Sequence, residues 1–274
     1  MRPPQRRTSL GSPQKTVTID FDRLRQAGLL PPEHQQRELA HQYRTLKRPL
    51  IKHAFEPQEG AAAPGTGALR SIMVSSALPG DGKTFTSVNL ALSLALEKDY
   101  SVLLVDGDSA KPHLSRTFGI DREPGLLDLL EDPSLDVESV IAPTSVRGLS
   151  LLPVGRRTEN ATELLASARM RQVVAKLESL DPHLLVLVDS APILLTSESR
   201  VLASLFAQVV LVVRATGTPQ HAVLEAVRIV GEGPRLGLVL NQANNGPGDP
   251  YGYYGEYYPA KETDGRTDGG AGTP

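Results

Sequence analysis

The short apolar run Ile72 to Ser75 is followed by Ala77 to Thr84, which read A-L-P-G-D-G-K-T, and then by an apolar-periodic stretch reaching Leu96. This order of strand, glycine-rich turn ending in Lys-Thr, and helix constrains the chain more than any other feature. Gly80 and Gly82 let backbone N–H groups converge on phosphate oxygens, and a helix starting near Lys83 aims its positive dipole end at them. Ala77 stands where the usual pattern has its first glycine, a change that leaves this logic intact. Pro79, Gly80, Asp81, Gly82, Lys83, Thr84 and Phe85 are therefore candidate contacts for a nucleotide such as ATP. Lys83 is placed to reach its outer phosphates, and the Thr84 hydroxyl to ligate Mg²⁺.

Five more apolar runs follow: Val102 to Val105, Leu149 to Pro153, Leu184 to Val188, Val209 to Val213 and Leu236 to Leu240. They are continuously apolar rather than alternating, and roughly 10 to 30 residues separate most of them, as in a parallel sheet covered on both faces by helices. The expected class is α/β, a mostly parallel sheet of P-loop NTPase type. One intervening helix is signalled by Thr218 as N-cap, Pro219 at the first helical position, an apolar stripe of Ala222, Val223, Ala226 and Ile229, and Gly231 at its end.

The second run ends V-D-G-D, placing Asp106 and Asp108 at the carboxyl edge of the sheet, where ligands bind in open α/β folds. The fourth ends V-D-S, delivering Asp189 to the same edge as a carboxylate suited to organising Mg²⁺. Asn241, at the end of the last run, is a further candidate nucleotide contact or a turn residue. Lys111 and Pro112 follow the second aspartate, and phosphate contact, contact with another protomer and plain exposure all remain open for them.

Glycine and proline, 24 and 22 residues of 274, crowd into three segments. These divide the chain into residues 1–14, expected to be disordered; a helical arm at 15–55; a linker at 56–67; an ATP-binding domain at 68–245; and a flexible tail at 246–274. The arm reads as a short helix over Asp20 to Gly28 and a longer one within Pro32 to Phe55, which Pro49 should interrupt or kink. With 29 basic and 31 acidic side chains the formal charge is −2, which provides no footprint for nucleic acid. Cysteine is absent, excluding disulfides, thiolate metal sites and cysteine nucleophiles. No apolar run approaches the roughly 20 residues of a membrane span, and no signal-peptide core follows the basic N-terminus, so a cytoplasmic location is expected.

The tail contains Tyr251, Tyr253, Tyr254, Tyr257 and Tyr258, five of the seven tyrosines within eight residues. A phenol there that entered another molecule's active site would need a carboxylate to take its proton during phosphoryl transfer. A sticker segment without modification is the alternative reading of such a tail.

Together, the phosphate loop, two aspartate motifs and tyrosine cluster resemble the bacterial tyrosine kinases of polysaccharide synthesis. More narrowly, Asp20 to Glu33, Tyr43 to Ile51, Ser75 to Thr86, Val102 to Pro112 and Ala161 to Ser167 are similar to the exosortase-associated tyrosine autokinases. The resemblance implies autophosphorylation between neighbouring protomers of a homo-oligomer, with ATP and Mg²⁺, in control of extracellular polysaccharide synthesis or export. It implies that Lys83 holds phosphates, that Thr84, Asp108 and Asp189 manage the metal, and that Asp106 with Asp108 activates the incoming tyrosine. Tyr251, Tyr253, Tyr254, Tyr257 and Tyr258 would be the acceptors. It implies further a membrane-embedded chain-length determinant on a separate chain as activator, a tyrosine phosphatase, and a peripheral position at the inner face of the plasma membrane.

Three positions depart from the family pattern. His41, Arg44 and Lys47 replace its E-x-x-R-x-x-R oligomerisation motif, and lysine lacks the planar fork of arginine, which bears on ring formation. Ser-Ala-Pro after Asp189 is expected to relax the turn there, and Gly107 to loosen the backbone between the two aspartates. The competing function is a positioning or partitioning ATPase. Such proteins typically end in an amphipathic membrane helix, which this tail lacks the apolar stripe to form.

Overall fold

The computed structural model describes residues 16–55 and 70–243. The expected disordered start and linker lie outside these residues, as do all five tail tyrosines. Seven strands form one sheet: β1 (Ser71–Ser76), β2 (Ser101–Gly107), β3 (Ala142–Pro143), β4 (Leu149–Leu152), β5 (Leu184–Ser190), β6 (Gln208–Arg214) and β7 (Arg235–Asn241). Their order is β3-β4-β2-β5-β1-β6-β7. Six of these strands are the expected apolar runs. The seventh, β3, is two residues long and pairs antiparallel with β4, too short to leave an apolar signal.

Nine α-helices accompany the strands among the described residues: α1 (Phe21–Gln26), α2 (Gln36–Phe55), α3 (Lys83–Ala95), α4 (His113–Phe118), α5 (Leu126–Glu131), α6 (Ala161–Leu165), α7 (Ala168–Ser179), α8 (Ser197–Ala203) and α9 (Gln220–Val230). The central strands are apolar throughout because both of their faces are covered, and alternate residues serve different cores. Met73, Leu103, Val105, Val186, Val188, Val209 and Leu211 enter one core with residues of α5, α7, α8 and α9. Ile72, Val74, Val102, Leu104, Leu185, Leu187, Val210 and Val212 enter the other, with α3 and the N-terminal arm.

The arm is packed into that second core through Leu24, Leu29, Tyr43, Leu50 and Ala54. Asp20 caps α1 by accepting hydrogen bonds from the N–H groups of Asp22 and Arg23, both 3.0 Å. Along α2 the buried positions are Tyr43, Lys47, Leu50 and Ala54, a helical stripe facing α3. Of the two outcomes expected at Pro49, an interruption does not occur: α2 continues through it to Phe55. Burial of Leu50 and Ala54 beyond the proline holds the last turns in place despite the missing N–H. The Gln208 amide also donates to the Leu50 carbonyl at 3.2 Å.

Lys47 belongs to the buried stripe of α2. It is 5% exposed, and its ammonium donates to the Ser93 carbonyl at 2.5 Å and meets Glu97 at 2.7 Å. Of the three positions replacing the oligomerisation motif, His41 and Arg44 are exposed and Lys47 fastens the arm to α3. Lys47→Ala removes the donor that satisfies both oxygens, and is expected to lower stability by about 1–3 kcal/mol in chemical denaturation.

The amphipathic α9 corrects a second expectation. Its N-cap is Pro219, not Thr218. The Thr218 hydroxyl is turned away from the helix, accepting from the Arg214 N–H at 3.0 Å and donating to Asp81 at 2.7 Å. Among the described residues no helix is long and apolar enough to cross a membrane.

Candidate active site

The carboxyl ends of β1, β2 and β5 lie side by side, and the register sets Asp106 directly across from Asp189 and Val74 across from Asp189 on the other side. The sheet thus brings the three sequence-predicted aspartates and the phosphate loop to one edge. Lys83, the first residue of α3, places its ammonium 3.1 Å from Asp108. Asp189 accepts from the Ser87 hydroxyl at 3.0 Å and from the Thr84 hydroxyl.

Asp106 is fully buried. One of its oxygens accepts from both the N–H and the hydroxyl of Ser115, at 2.8 and 2.6 Å, while the other takes the Asp108 N–H at 3.3 Å. Burial raises its carboxyl to about 7, and the Ser115 hydrogen bonds offset part of that rise. Burial likewise holds Asp189 above the usual carboxylate range, opposed by the Lys83 charge. For Lys83, burial disfavours the ammonium, but Asp189, Asp108 and Asp106 outweigh it and raise its pKa.

The loop is braced from within. Gly80 and Gly82 have φ of 85° and 97°, the left-handed region that favours glycine. Asp81 is buried and turned inward, accepting from the Leu78 N–H at 3.0 Å and the Thr218 hydroxyl at 2.7 Å. The Asn241 amide donates to the Asp81 carbonyl at 2.9 Å and lies where a side chain on Gly82 would have to go. Asn241 is thereby at the loop, held from the end of β7.

Pro79, Gly80, Gly82, Lys83, Thr84, Phe85 and Asp108 line a cleft of about 410 Å³. Gly28 and Leu29 of the arm and Pro192 and Leu195 beyond β5 complete its walls. Asp106 and Asp189 lie beneath this surface rather than on it.

Two expected relaxations are absent. The Ala191 carbonyl in the turn after Asp189 accepts from the hydroxyls of Ser75 at 2.8 Å, Ser199 at 2.9 Å and Ser190 at 3.3 Å. Ser190 also donates to the Val74 carbonyl at 3.1 Å, so the turn is tied down. Gly107 is not a loosened link but a buried strand residue pressed against β5. A Cβ there would sit 2.9 Å from Val188 Cγ1 and 3.0 Å from the Asp189 carbonyl oxygen. Gly107→Ala is therefore expected to push β2 from β5 and to cost about 1–3 kcal/mol, read as a lowered denaturation midpoint.

Sequence reasoning missed Ser87, Ser115 and Thr218. Ser87 is four residues after Lys83 and so on the same helix face, a signal that was available. Ser115 reaches Asp106 only through the turn into α4, which no spacing rule announces.

Three buried carboxylates face one largely buried ammonium, so the site carries an excess of negative charge. That excess suits a divalent cation. Among the described residues no three His, Cys, Asp or Glu side chains group to cage a metal ion. The donor set of the Thr84 hydroxyl and one or two carboxylates instead fits Mg²⁺, which keeps water and phosphate oxygens in its shell.

The model of a family described as "AAA domain" matches residues 69–220. Tyrosine-protein kinase YwqD of Bacillus subtilis is 28% identical over 218 residues, covering 79% of this chain and 86% of that protein. Tyrosine-protein kinase CpsD of Streptococcus agalactiae is 30% identical over 189 residues, covering 68% and 80%. Other relatives are longer: tyrosine-protein kinase Ptk of Acinetobacter johnsonii is 33% identical over 173 residues, which are 62% of this chain and 23% of that one. The crystal structure of the VpsO kinase domain aligns with 78% of this chain and 100% of its own, at 29% identity and a TM-score of 0.62. The chain belongs to the AAA domain family, within its branch of bacterial tyrosine-protein kinases.

Proposed function

We propose that this protein is an ATP-dependent tyrosine autokinase that phosphorylates Tyr251, Tyr253, Tyr254, Tyr257 and Tyr258 on a neighbouring copy of itself. The observation that carries this reading is the convergence of Lys83, Asp106, Asp108 and Asp189 beside a glycine loop in a chain that also carries five clustered tyrosines. Lys83 would hold the outer phosphates, with the N–H groups of residues 80–84 around them. Asn241, held against the loop, would flank the nucleotide.

Thr84, Asp108 and Asp189 would hold Mg²⁺. When bound, the ion neutralises charge on the phosphate oxygens. Phosphoryl transfer asks mainly for such neutralisation and for alignment rather than covalent help from the protein. The phenol oxygen forms its bond to the γ-phosphorus as the bond to ADP breaks, and the phenol proton passes to a carboxylate. Asp108 has both oxygens engaged, by the Lys111 N–H at 2.9 Å and by Lys83. Even so, Asp108 lines the cleft that the phenol would enter, whereas Asp106 lies beneath it with three hydrogen bonds of its own, so Asp108 would take the proton and Asp106 would hold the Asp108 backbone in place.

The wider setting extends the reading. The protein would regulate extracellular polysaccharide synthesis or export, activated at the inner face of the plasma membrane by a membrane-embedded chain-length determinant and reversed by a tyrosine phosphatase. The arm, residues 15–55, would supply oligomer or partner contacts, with His41 and Arg44 as its outward groups in the region of the family's motif.

The test is the intact mass of the full chain after incubation with ATP and Mg²⁺, followed by peptide mapping. Increments of phosphate on residues 251–258 are expected. ATP consumption without protein phosphate, with a candidate activator present, would replace this reading with a positioning-type ATPase.

A further inference from the structure

The rim of the cleft has a composition the phosphate chemistry does not require. Lys111 and His113 are exposed and line it, and among the described residues they are its only charged or titratable side chains outside the Lys83 and Asp108 pair. The Lys111 backbone N–H donates to Asp108 at 2.9 Å, which fixes this residue at the edge of the reaction centre while its side chain is free to reach outward. The same cleft is lined by Leu195, a large apolar side chain left 60% exposed, and by Leu29 and the buried Pro192. A cation, an imidazole and an apolar wall at one opening complement a ligand that is aromatic and carries an adjacent carboxylate.

The chain itself contains such a ligand. Asp249 precedes Tyr251 by two residues and Glu256 immediately precedes Tyr257, and these are the only charged residues from 244 to 260. We propose that the rim formed by Lys111, His113, Pro192 and Leu195 is an acceptor-peptide subsite that selects tyrosines with a preceding carboxylate, in the tail of a second copy of this chain. The inference rests on the autokinase reading. Lys111 pairs with the carboxylate, and Leu195 and Pro192 pack against the phenol ring. Tyr257, with its carboxylate immediately before it, and then Tyr251 and Tyr258, each with one two residues before, are thereby favoured over Tyr253 and Tyr254 for the first phosphate.

The experiment uses the full chain with ATP and Mg²⁺ and synthetic peptides spanning residues 246–260. One peptide has the native sequence, and the other carries Asp249→Lys and Glu256→Lys. Product is read by mass spectrometry. The native peptide is expected to be the better substrate by about three- to tenfold in kcat/KM, chiefly through KM, with its first phosphate on Tyr257. High salt should shrink this preference. Lys111→Glu should reverse it, a rescue of the charge-swapped peptide that a merely structural defect cannot produce, and Lys111→Ala should abolish it. Equal use of both peptides by the wild-type chain would overturn the subsite while leaving the kinase reading standing. Phosphotyrosine on neither peptide nor the chain itself would overturn both.

Discussion

Lys83→Met is expected to reduce tyrosine phosphorylation by at least about 10²–10³-fold, the loss that follows removal of a preorganised donor aimed at developing charge. Among the described residues Lys83 is the only ammonium beside the three buried carboxylates, and it touches Asp108 directly at 3.1 Å. Methionine keeps the length of the stem but leaves that excess charge uncompensated. The variant should therefore also lose thermal stability at neutral pH, and Mg²⁺ should restore more stability to it than to the wild type. Far-UV circular dichroism separates this from unfolding: a native spectrum with no phosphotyrosine on residues 251–258 is the expected result. Phosphorylation at a wild-type rate would remove Lys83 from the reaction.

The second large effect has the opposite sign for stability. The Asp106 carboxyl is raised to about 7 by burial, whereas in the unfolded chain it titrates near 3.8. The folded state thus binds this proton more tightly. The associated stabilisation is complete below about pH 4 and is lost progressively as the pH rises through 7. An amide at this position cannot ionise, and its carbonyl oxygen can still accept from Ser115. Without nucleotide or metal, Asp106→Asn should exceed the wild type modestly near pH 5 and by more at pH 8, the gain widening between the two. The difference is on the order of 2–4 kcal/mol, or about 5–10 °C in Tm. Kinase activity should fall at both pH values. A pH-independent difference in Tm would mean that Asp106 is not the group whose burial is felt.

These two outcomes bear on how far the site was legible beforehand. The glycine loop, Lys83 and the three aspartates could be named because each is tied to a local pattern: an apolar run that ends abruptly in a polar residue at a sheet edge. Their convergence follows from parallel strands sharing one carboxyl edge. What stayed hidden depends on contacts distant in sequence. Thr218 had the composition of a helix cap, but Asp81, 137 residues earlier, takes its hydroxyl. Lys47 occupied a helix position that reads as solvated, yet Ser93 and Glu97 draw it inward. Gly107 suggested freedom by its residue type and is instead required by the closeness of Asp189. In each case a tertiary partner decided between roles that local propensity leaves equal.

One consequence of the two-sided core concerns how the sheet is assembled. Where one face of a sheet is wet, a strand that slips by one residue exposes its apolar set and is rejected. Here both faces are apolar, so a slipped β5 would exchange Val186 and Val188 for Leu185 and Leu187 and suffer only from volume mismatch. Discrimination must come from groups that have a partner in one alignment alone. Ser75 and Ser190, which bond across β1 and β5 to the carbonyls of Ala191 and Val74, and Gln208, which reaches Leu50, are such groups. They act as alignment keys for a sheet that could otherwise be mis-threaded, and the correct facing of Asp106 and Asp189 is the product of that proofreading.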